Sequence, residues 1–138
     1  MEIFYSGELK DYGNEPTVME LNNLTLKNKN YRTALWTGKH LQLTVMNIKQ
    51  NEDVGDEIHD QLDQMLYIVS GRAAVFMGKS KNDLTLKTYA DGGDAIFIPA
   101  GTWHNIINAG FFPLKMFSVY APVQHPAGTV QEDKPVDG

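Results

Sequence analysis

Cysteine is absent from the 138-residue chain, and this absence excludes several kinds of chemistry. The protein can contain no disulfide, no thiolate metal ligand and no cysteine nucleophile. Arginine is scarce as well, because Arg32 and Arg72 are the only two, and the formal net charge is -5. Since no basic cluster could follow a phosphate backbone, we expect no nucleic-acid partner.

Long apolar segments are also missing. No stretch approaches the roughly 20 apolar residues that a membrane-spanning helix needs. The first ten residues contain Glu2 and Glu8 instead of a basic region followed by an apolar core. We therefore expect a soluble cytoplasmic protein with no membrane partner. The sequence also shows no Ser-His-Asp arrangement, phosphate-binding loop or dinucleotide fingerprint.

The sequence does contain a series of short β-prone runs separated by Gly, Asn, Asp and Pro. The runs lie at residues 31–36, 41–45, 64–70, 72–77, 84–89, 94–99, 103–109 and 113–120. No segment has a convincing helical period, and the length suits one domain. The pattern predicts a single all-β domain, either a sandwich or a barrel.

Residues 93–108 contain a sharp corner between two of these runs. Pro99 cannot donate to a β ladder and Gly101 admits backbone angles that other residues avoid, so the chain must turn there. In the run that follows, His104 and Asn108 share one face. A single strand histidine is more commonly a structural residue, but this corner holds the imidazole in a fixed place, as a metal ligand or general base requires.

An earlier stretch supplies further polar side chains. Glu57 and His59 are two residues apart, so on a strand both point to the same face. Gln64 is an odd step from His59, and the polar link between them must turn or bulge if all three are to converge. Together with His104, these residues would direct a carboxylate, an amide and two imidazoles at one point.

The two stretches together resemble the two motifs of the cupin superfamily, in the right order and separation. The residues that match the motifs are Gly71, which closes the first, and Gly93, Pro99, Gly101, His104 and Asn108, which have the spacing of the second. The chain is particularly similar to a group of small single-domain bacterial cupins. The resemblance implies a jelly-roll (cupin) antiparallel β-barrel over residues 31–120, an N-terminal arm at 1–30 and an extended C-terminal tail at 121–138. It also implies a homodimer.

The resemblance implies a metal site with two departures from the usual cupin pattern of His-x-His and a later Glu. Glu57 replaces the first His, His59 keeps the second, and Gln64 replaces the Glu. The implied ligands of one divalent transition metal are thus Glu57, His59, Gln64 and His104. This donor set is harder than the usual one, which favours Mn, Fe, Ni or Zn over Cu(I). Alternatively, Glu57 and Gln64 hydrogen-bond the histidines in a cupin that binds no metal.

Three functions remain open at this point. The first is a metal-dependent enzyme of isomerase or dioxygenase type that acts on a small polar substrate such as a sugar or keto acid. The second is a non-catalytic cupin that binds or senses a small ligand, and the third is a metal-free structural protein. The fold does not separate the first two, and the sequence identifies no catalytic residue. His40 and His125 lie outside the motifs and are predicted to be surface residues, whereas Asn108 is predicted to orient nearby groups.

Overall fold

The computed structural model describes residues 5–136, and most β-prone runs of the sequence form strands in it. The strands are β1 (Tyr5–Ser6), β2 (Val18–Met19), β3 (Arg32–Thr37), β4 (Gln42–Ile48), β5 (Asp63–Ser70), β6 (Arg72–Gly78), β7 (Leu86–Asp91), β8 (Ala95–Ile98), β9 (Trp103–Asn108), β10 (Leu114–Ala121) and β11 (Val130–Gln131). One short helix, α1 (Leu21–Lys27), lies between β2 and β3. The prediction of an all-β jelly roll is confirmed.

Two antiparallel sheets face each other and form the jelly roll. The larger has the order β11-β3-β4-β10-β5-β8 and the smaller the order β7-β6-β9, while β1 and β2 form a separate parallel pair. Because β5 and β6 belong to different sheets, as do β8 and β9, the chain passes repeatedly from one sheet to the other. The main core lies between the sheets and includes Leu66, Ile68 and Met116 of the larger and Val75 and Ile106 of the smaller.

The larger sheet is also covered on its outer face. Leu24 of α1 packs with Leu35 of β3 and Val45 of β4, and all three are buried. In β4, Val45 belongs to this outer cluster and the next residue, Met46, to the inner one, because successive side chains of a strand point to opposite faces. Within residues 5–136, no helix has the length and apolar character needed to cross a membrane.

The segments expected to be an arm and a tail both contain regular structure. The described part of residues 1–30 includes β1, β2 and α1, and the tail contributes β11, which pairs antiparallel with β3 through Val130 and Thr33. The division of the chain at residues 30 and 120 stays a prediction.

Candidate metal centre

Glu57 and His104 are placed opposite each other by their own backbones. The amide of each residue donates to the carbonyl of the other over 2.9 Å, which makes them a hydrogen-bonded antiparallel pair. The side chains of such a pair point to the same face. Glu57 lies in the link between β4 and β5, and His104 lies on β9 of the smaller sheet. The link is thereby fixed to the smaller sheet at the position of the site.

His59 is held by the corner that the sequence predicted around Gly101. The Gly101 amide donates to the His59 carbonyl over 2.9 Å, and Gly101 has the positive φ of +80° that glycine allows. The rings of His59 and His104 lie with their centroids 5.4 Å apart. The two strands and the corner between them thus position both imidazoles. His104 lies on β9 itself, and His59 is held by the backbone hydrogen bond from Gly101.

Gln64 reaches the same region from the larger sheet. It begins the inward-facing row of β5, in which Gln64, Leu66 and Ile68 are buried, as the strand period predicts. Its Nε2 donates to the Ser118 hydroxyl over 2.9 Å, while its buried Oε1 has no hydrogen-bond partner in the described part of the chain. The amide therefore presents a free carbonyl oxygen, a neutral hard donor, to the interior.

The ligand atoms of Glu57, His59 and His104 all lie within 4.8 Å of one another. Glu57 Oε2 is 3.6 Å from His59 Nε2 and 3.7 Å from His104 Nε2. These separations exceed a normal hydrogen bond, but they are close to the spread that bonds of about 2.0–2.2 Å to one metal ion require. The three side chains therefore have the geometry of a cluster that could hold one metal ion between them.

His104 has the tautomer that a metal ligand needs. It is 1% exposed, and its Nδ1 lies 3.1 Å from the Thr102 carbonyl, which can only accept. The Nδ1 proton is thus used, and Nε2 carries a lone pair in the neutral ring. This Nε2 is buried without a hydrogen-bond partner among the described residues and faces the Glu57 carboxylate.

Glu57 is ionised in this setting. Burial raises the pKa of its carboxyl group, but the contacts with His104 and His59, and the attraction to these rings when they are protonated, outweigh burial and lower the pKa to about 2. A partly buried carboxylate with two imidazole nitrogens beside it supplies the negative charge that a divalent cation favours.

Two spaces that share Arg32 and Glu57 in their walls adjoin the cluster. The inner chamber is about 10 Å³, room for a single water or ion. It is lined by Arg32, Met46, Val54, Glu57, Gln64, Leu66, His104, Ile106, Met116 and Tyr120. The outer basin is about 480 Å³, within the range of small-molecule pockets. It is lined by Arg32, Glu57, Ile58, His59, Gln124, His125, Gln131 and Pro135.

Comparison with known proteins assigns the family. The family model described as the Cupin domain matches residues 44–120, which contain all four predicted ligands. The chain is a cupin. Of the four residues, the structure brings Glu57, His59 and His104 into one cluster and places Gln64 on the wall of the inner chamber beside them.

Relatives of this cupin extend the similarity beyond the matched domain. It is 53% identical to the YrkC protein of Bacillus subtilis (strain 168) over 126 residues, which are 91% of this chain and 68% of that protein. It is 39% identical to protein L612 of Acanthamoeba polyphaga mimivirus, over 91% of this chain and 77% of that protein. The crystal structure of BH2720 from Bacillus halodurans superposes with a TM-score of 0.90 at 49% identity, over 91% of this chain and 95% of that one.

The donors of this cupin fit a divalent metal ion. Two of the predicted ligand atoms, His104 Nε2 and Gln64 Oε1, are buried polar atoms without a hydrogen-bond partner in residues 5–136. Leaving such atoms unpaired is unfavourable by about 1–3 kcal/mol each. Both line the inner chamber with Glu57, so a cation bound there would satisfy all of them together.

His125 was predicted to be a surface residue and not a ligand, and it lies outside the donor cluster. This side chain is only partly exposed, lines the outer basin, and has its Nε2 3.3 Å from the Tyr120 hydroxyl. The buried Gln42 places it there, because its Nε2 donates to the His125 carbonyl and its Oε1 accepts from the His125 amide, each over 2.8 Å. Contacts across 83 residues of sequence determine this position, and no local pattern signals it.

The other two secondary predictions are confirmed. His40 is exposed and is not part of the cluster. Asn108 is buried and orients the backbone, since its Nδ2 donates to the carbonyls of Ile48 and Phe112 over 2.9 Å. Its Oδ1 accepts from the Gly110 amide, so this side chain braces the far end of the strand that carries His104.

Proposed function

We propose that Glu57, His59, Gln64 and His104 hold one divalent transition metal, drawn from Mn, Fe, Ni and Zn. The chain is then a metal-dependent enzyme of isomerase or dioxygenase type that acts on a small polar substrate such as a sugar or keto acid. The observation that supports this best is the cluster of donor atoms from Glu57, His59 and His104. It lies beside a chamber of about 10 Å³ that is lined by Glu57 and by two residues with unpaired buried donor atoms, His104 and Gln64.

Each residue has a separate task in this proposal. A bound metal would act as a Lewis acid or an oxygen-activating centre. Glu57 contributes the negative charge, and the contact of His104 with Thr102 keeps its Nε2 free to coordinate. Gln64 is a neutral donor held by Ser118. Because the inner chamber has no room for an organic molecule, the substrate occupies the outer basin, which Glu57 and His59 also line.

Elemental analysis of protein purified without an affinity tag tests the metal site. We expect near-stoichiometric Fe, Mn, Ni or Zn, and we expect His59→Ala and His104→Ala each to lose it. His40→Ala is the matched control, because its imidazole is exposed and distant from the cluster, and it should retain the metal. Full metal content in His104→Ala would show that the site is misassigned.

Metal titration of two further variants tests the ligand roles. Glu57→Ala removes the charged donor and Gln64→Ala a neutral one, so the first should weaken binding more. The reverse order would contradict the assignment of Gln64 as the weaker ligand.

Enzyme and binding protein are distinguished by turnover. Oxygen uptake or isomerisation with a panel of sugars and keto acids supports the enzyme. Retention of a ligand through gel filtration without turnover supports the binding or sensing cupin. If the protein stays metal-free after incubation with each ion, both a metal-dependent enzyme and a metal-dependent binding protein are excluded.

We propose in addition that the protein is cytoplasmic and that it is a homodimer, the latter as the family resemblance implies. Sedimentation equilibrium of the full chain tests the dimer, since a monomer of 15.5 kDa and its dimer differ twofold in mass.

A further inference from the structure

Arg32 is a buried cation that opens onto the candidate site. It begins β3, where its backbone is paired with Met46 on one side and Gln131 on the other. Its side chain is 6% exposed and lines both the inner chamber and the outer basin. The guanidinium therefore lies at the boundary between the space proposed for the metal and the space available to a substrate.

The guanidinium of Arg32 has no ion-pair partner among the described residues. Its Nη1 donates to Gln131 Oε1, which is neutral, and its guanidinium carbon lies 5.1 Å from the centre of the Tyr31 ring. Its Nε is buried without a hydrogen-bond partner in residues 5–136. Arg32 thus has a free donor and a charge without an ion-pair partner in this part of the chain.

Such an arrangement is unfavourable unless something completes it. Burying an unpaired charge or an unpaired N–H group destabilises a fold, and an aliphatic residue at this position would avoid that cost. The free donor belongs to a planar group whose adjacent N–H bonds match the two oxygens of a carboxylate. The missing partner is therefore an anion that enters from the basin.

We propose that Arg32 is the anchor for the carboxylate of the ligand, and hence that the molecule bound in the outer basin is a small carboxylic acid. This inference rests on the proposed function in one respect, because that function places the reacting end of the ligand beside His59 and Glu57. It narrows the proposed substrates from small polar molecules in general to acids.

A carboxylate fits the wall of the basin better than a phosphate does. Among the described lining residues, Arg32 is the one with a permanent positive charge, and Glu57 contributes a negative one. A single guanidinium matches the single charge of a carboxylate. In the metal-free protein, a phosphate dianion would face the Glu57 carboxylate with Arg32 as the one permanently charged cation among the described lining side chains.

The scarcity of arginine makes a direct test possible in the unmodified protein. The chain has two arginines, so a ¹H–¹⁵N spectrum contains two Arg Nε–H signals. Arg72→Gln assigns them, because Arg72 is half-exposed on the smaller sheet and contacts Asp91 and Tyr89 away from the site. The spectra are recorded on zinc-loaded and on metal-free protein at constant ionic strength.

The probes are pyruvate, lactate and benzoate, each compared with its own amide, and inorganic phosphate. We expect at least one acid, at up to about 50 mM, to shift the Arg32 signal with saturation while its amide does not, and the Arg72 signal to stay in place. No saturable shift with any acid overturns the proposal, as does an equal effect of acid and amide. A larger saturable effect of phosphate overturns the choice of carboxylate.

Two variants separate the anchor from a structural role. Arg32→Gln should lower acid affinity at least tenfold, and Arg32→Lys, which keeps the charge but not the planar fork, should show a smaller loss. Metal affinity should be unchanged or tighter in Arg32→Gln, because a positive charge near the proposed metal has been removed. It should be unchanged in Arg32→Lys, because the charge is kept. If Arg32→Gln does not fold, Arg32→Lys and the spectra of the unmodified protein still decide.

The outcomes distinguish this inference from the proposed function. Metal binding with no acid-dependent shift leaves the metal site standing and rejects the anchor. An acid-dependent shift in protein that takes up no metal supports the anchor and rejects the metal-dependent enzyme.

Discussion

The amide of Gln64 illustrates how one neighbouring side chain can prepare a ligand. Ser118 is fully buried, and its hydroxyl accepts the Gln64 Nε2 hydrogen bond across β5 and β10. With Nε2 on the Ser118 hydroxyl, the amide oxygen of Gln64 faces the chamber. The donor that Gln64 would offer to the proposed metal is thus supported by Ser118, which does not line the chamber.

Ser118→Ala should weaken metal binding about tenfold, because the Gln64 amide would no longer be held with its oxygen toward the chamber. We also expect the free energy of unfolding to fall by about 1–2 kcal/mol, since a buried N–H loses its acceptor. Metal titration and urea unfolding measure the two effects. Ser70→Ala at the exposed end of β5, the strand of Gln64, is the control and should change neither. Unaltered metal affinity in Ser118→Ala would argue against Gln64 as a ligand.

The positions of the candidate site residues were predicted best from the sequence where the two-residue period of a strand determines which way a side chain points. Glu57, His59 and His104 follow from two-residue alternation and a rigid corner, and the inward side of Gln64 follows from the apolar residues after it. Arg32 and His125 were not predicted as part of the basin, because each is placed by partners far away in the chain. Gln131 accepts from Arg32 and Gln42 holds His125, and no periodicity encodes such contacts.

At the scale of elements, the junction between β5 and β6 carries the chain from one sheet to the other through a single residue. Gly71 lies between Ser70 and Arg72 with a φ of +104°. A Cβ there would lie 3.1 Å from the Leu114 Cα and 3.2 Å from the Pro113 carbonyl oxygen, and neither backbone atom can yield cheaply. Both the conformation and the space require glycine.

Gly71→Ala should lower the free energy of unfolding by about 2–3 kcal/mol, because it combines an unfavourable backbone angle with a close backbone contact. Denaturant unfolding measures the change. Gly110→Ala is a nearby control, since its Cβ would make only ordinary contacts, the nearest at 3.6 Å from the Arg72 nitrogen. A similar loss in the two variants would show that the strain at Gly71 is not the cause.

The helix α1 was not predicted from the sequence. Its seven residues contain one buried leucine, Leu24, and Glu20 provides no side-chain cap at its start. So short a segment has no measurable helical period, and an isolated helix of this length is not stable in water. It forms because Leu24 packs against Leu35 and Val45 on the sheet, which only the assembled strands can offer.

For the molecule as a whole, His125 in the outer basin makes the free energy of unfolding depend on pH. Burial, and then the charge of Arg32, lower the pKa of His125 from 6.5 to about 4, whereas Glu57 opposes the shift and His59 adds to it. The Tyr120 hydroxyl also faces the ring. Since the folded pKa is below the unfolded one, the unfolded chain binds more protons between these values, and stability present above about pH 6.5 is lost as pH falls toward 4.

His125→Gln should therefore lose less stability than the unmodified protein when the pH is lowered from 7 to 5. Urea unfolding at the two pH values, in the presence of a chelator so that metal release plays no part, measures the difference. His40→Gln is the control and should keep the original pH dependence, because folding leaves that imidazole exposed. An equal loss in His125→Gln and the unmodified protein would contradict the buried neutral imidazole.

The proposed ligands come from the two facing sheets, with Gln64 on the larger sheet and His104 on the smaller. A metal held by both would connect positions that are 40 residues apart in the chain (104 minus 64). Such a link can form only after the sheets have come together, so it would contribute little to the transition state for folding. Metal would then slow unfolding and leave the rate of refolding nearly unchanged. The persistence of the folded molecule, and not the speed with which it forms, would depend on the ion.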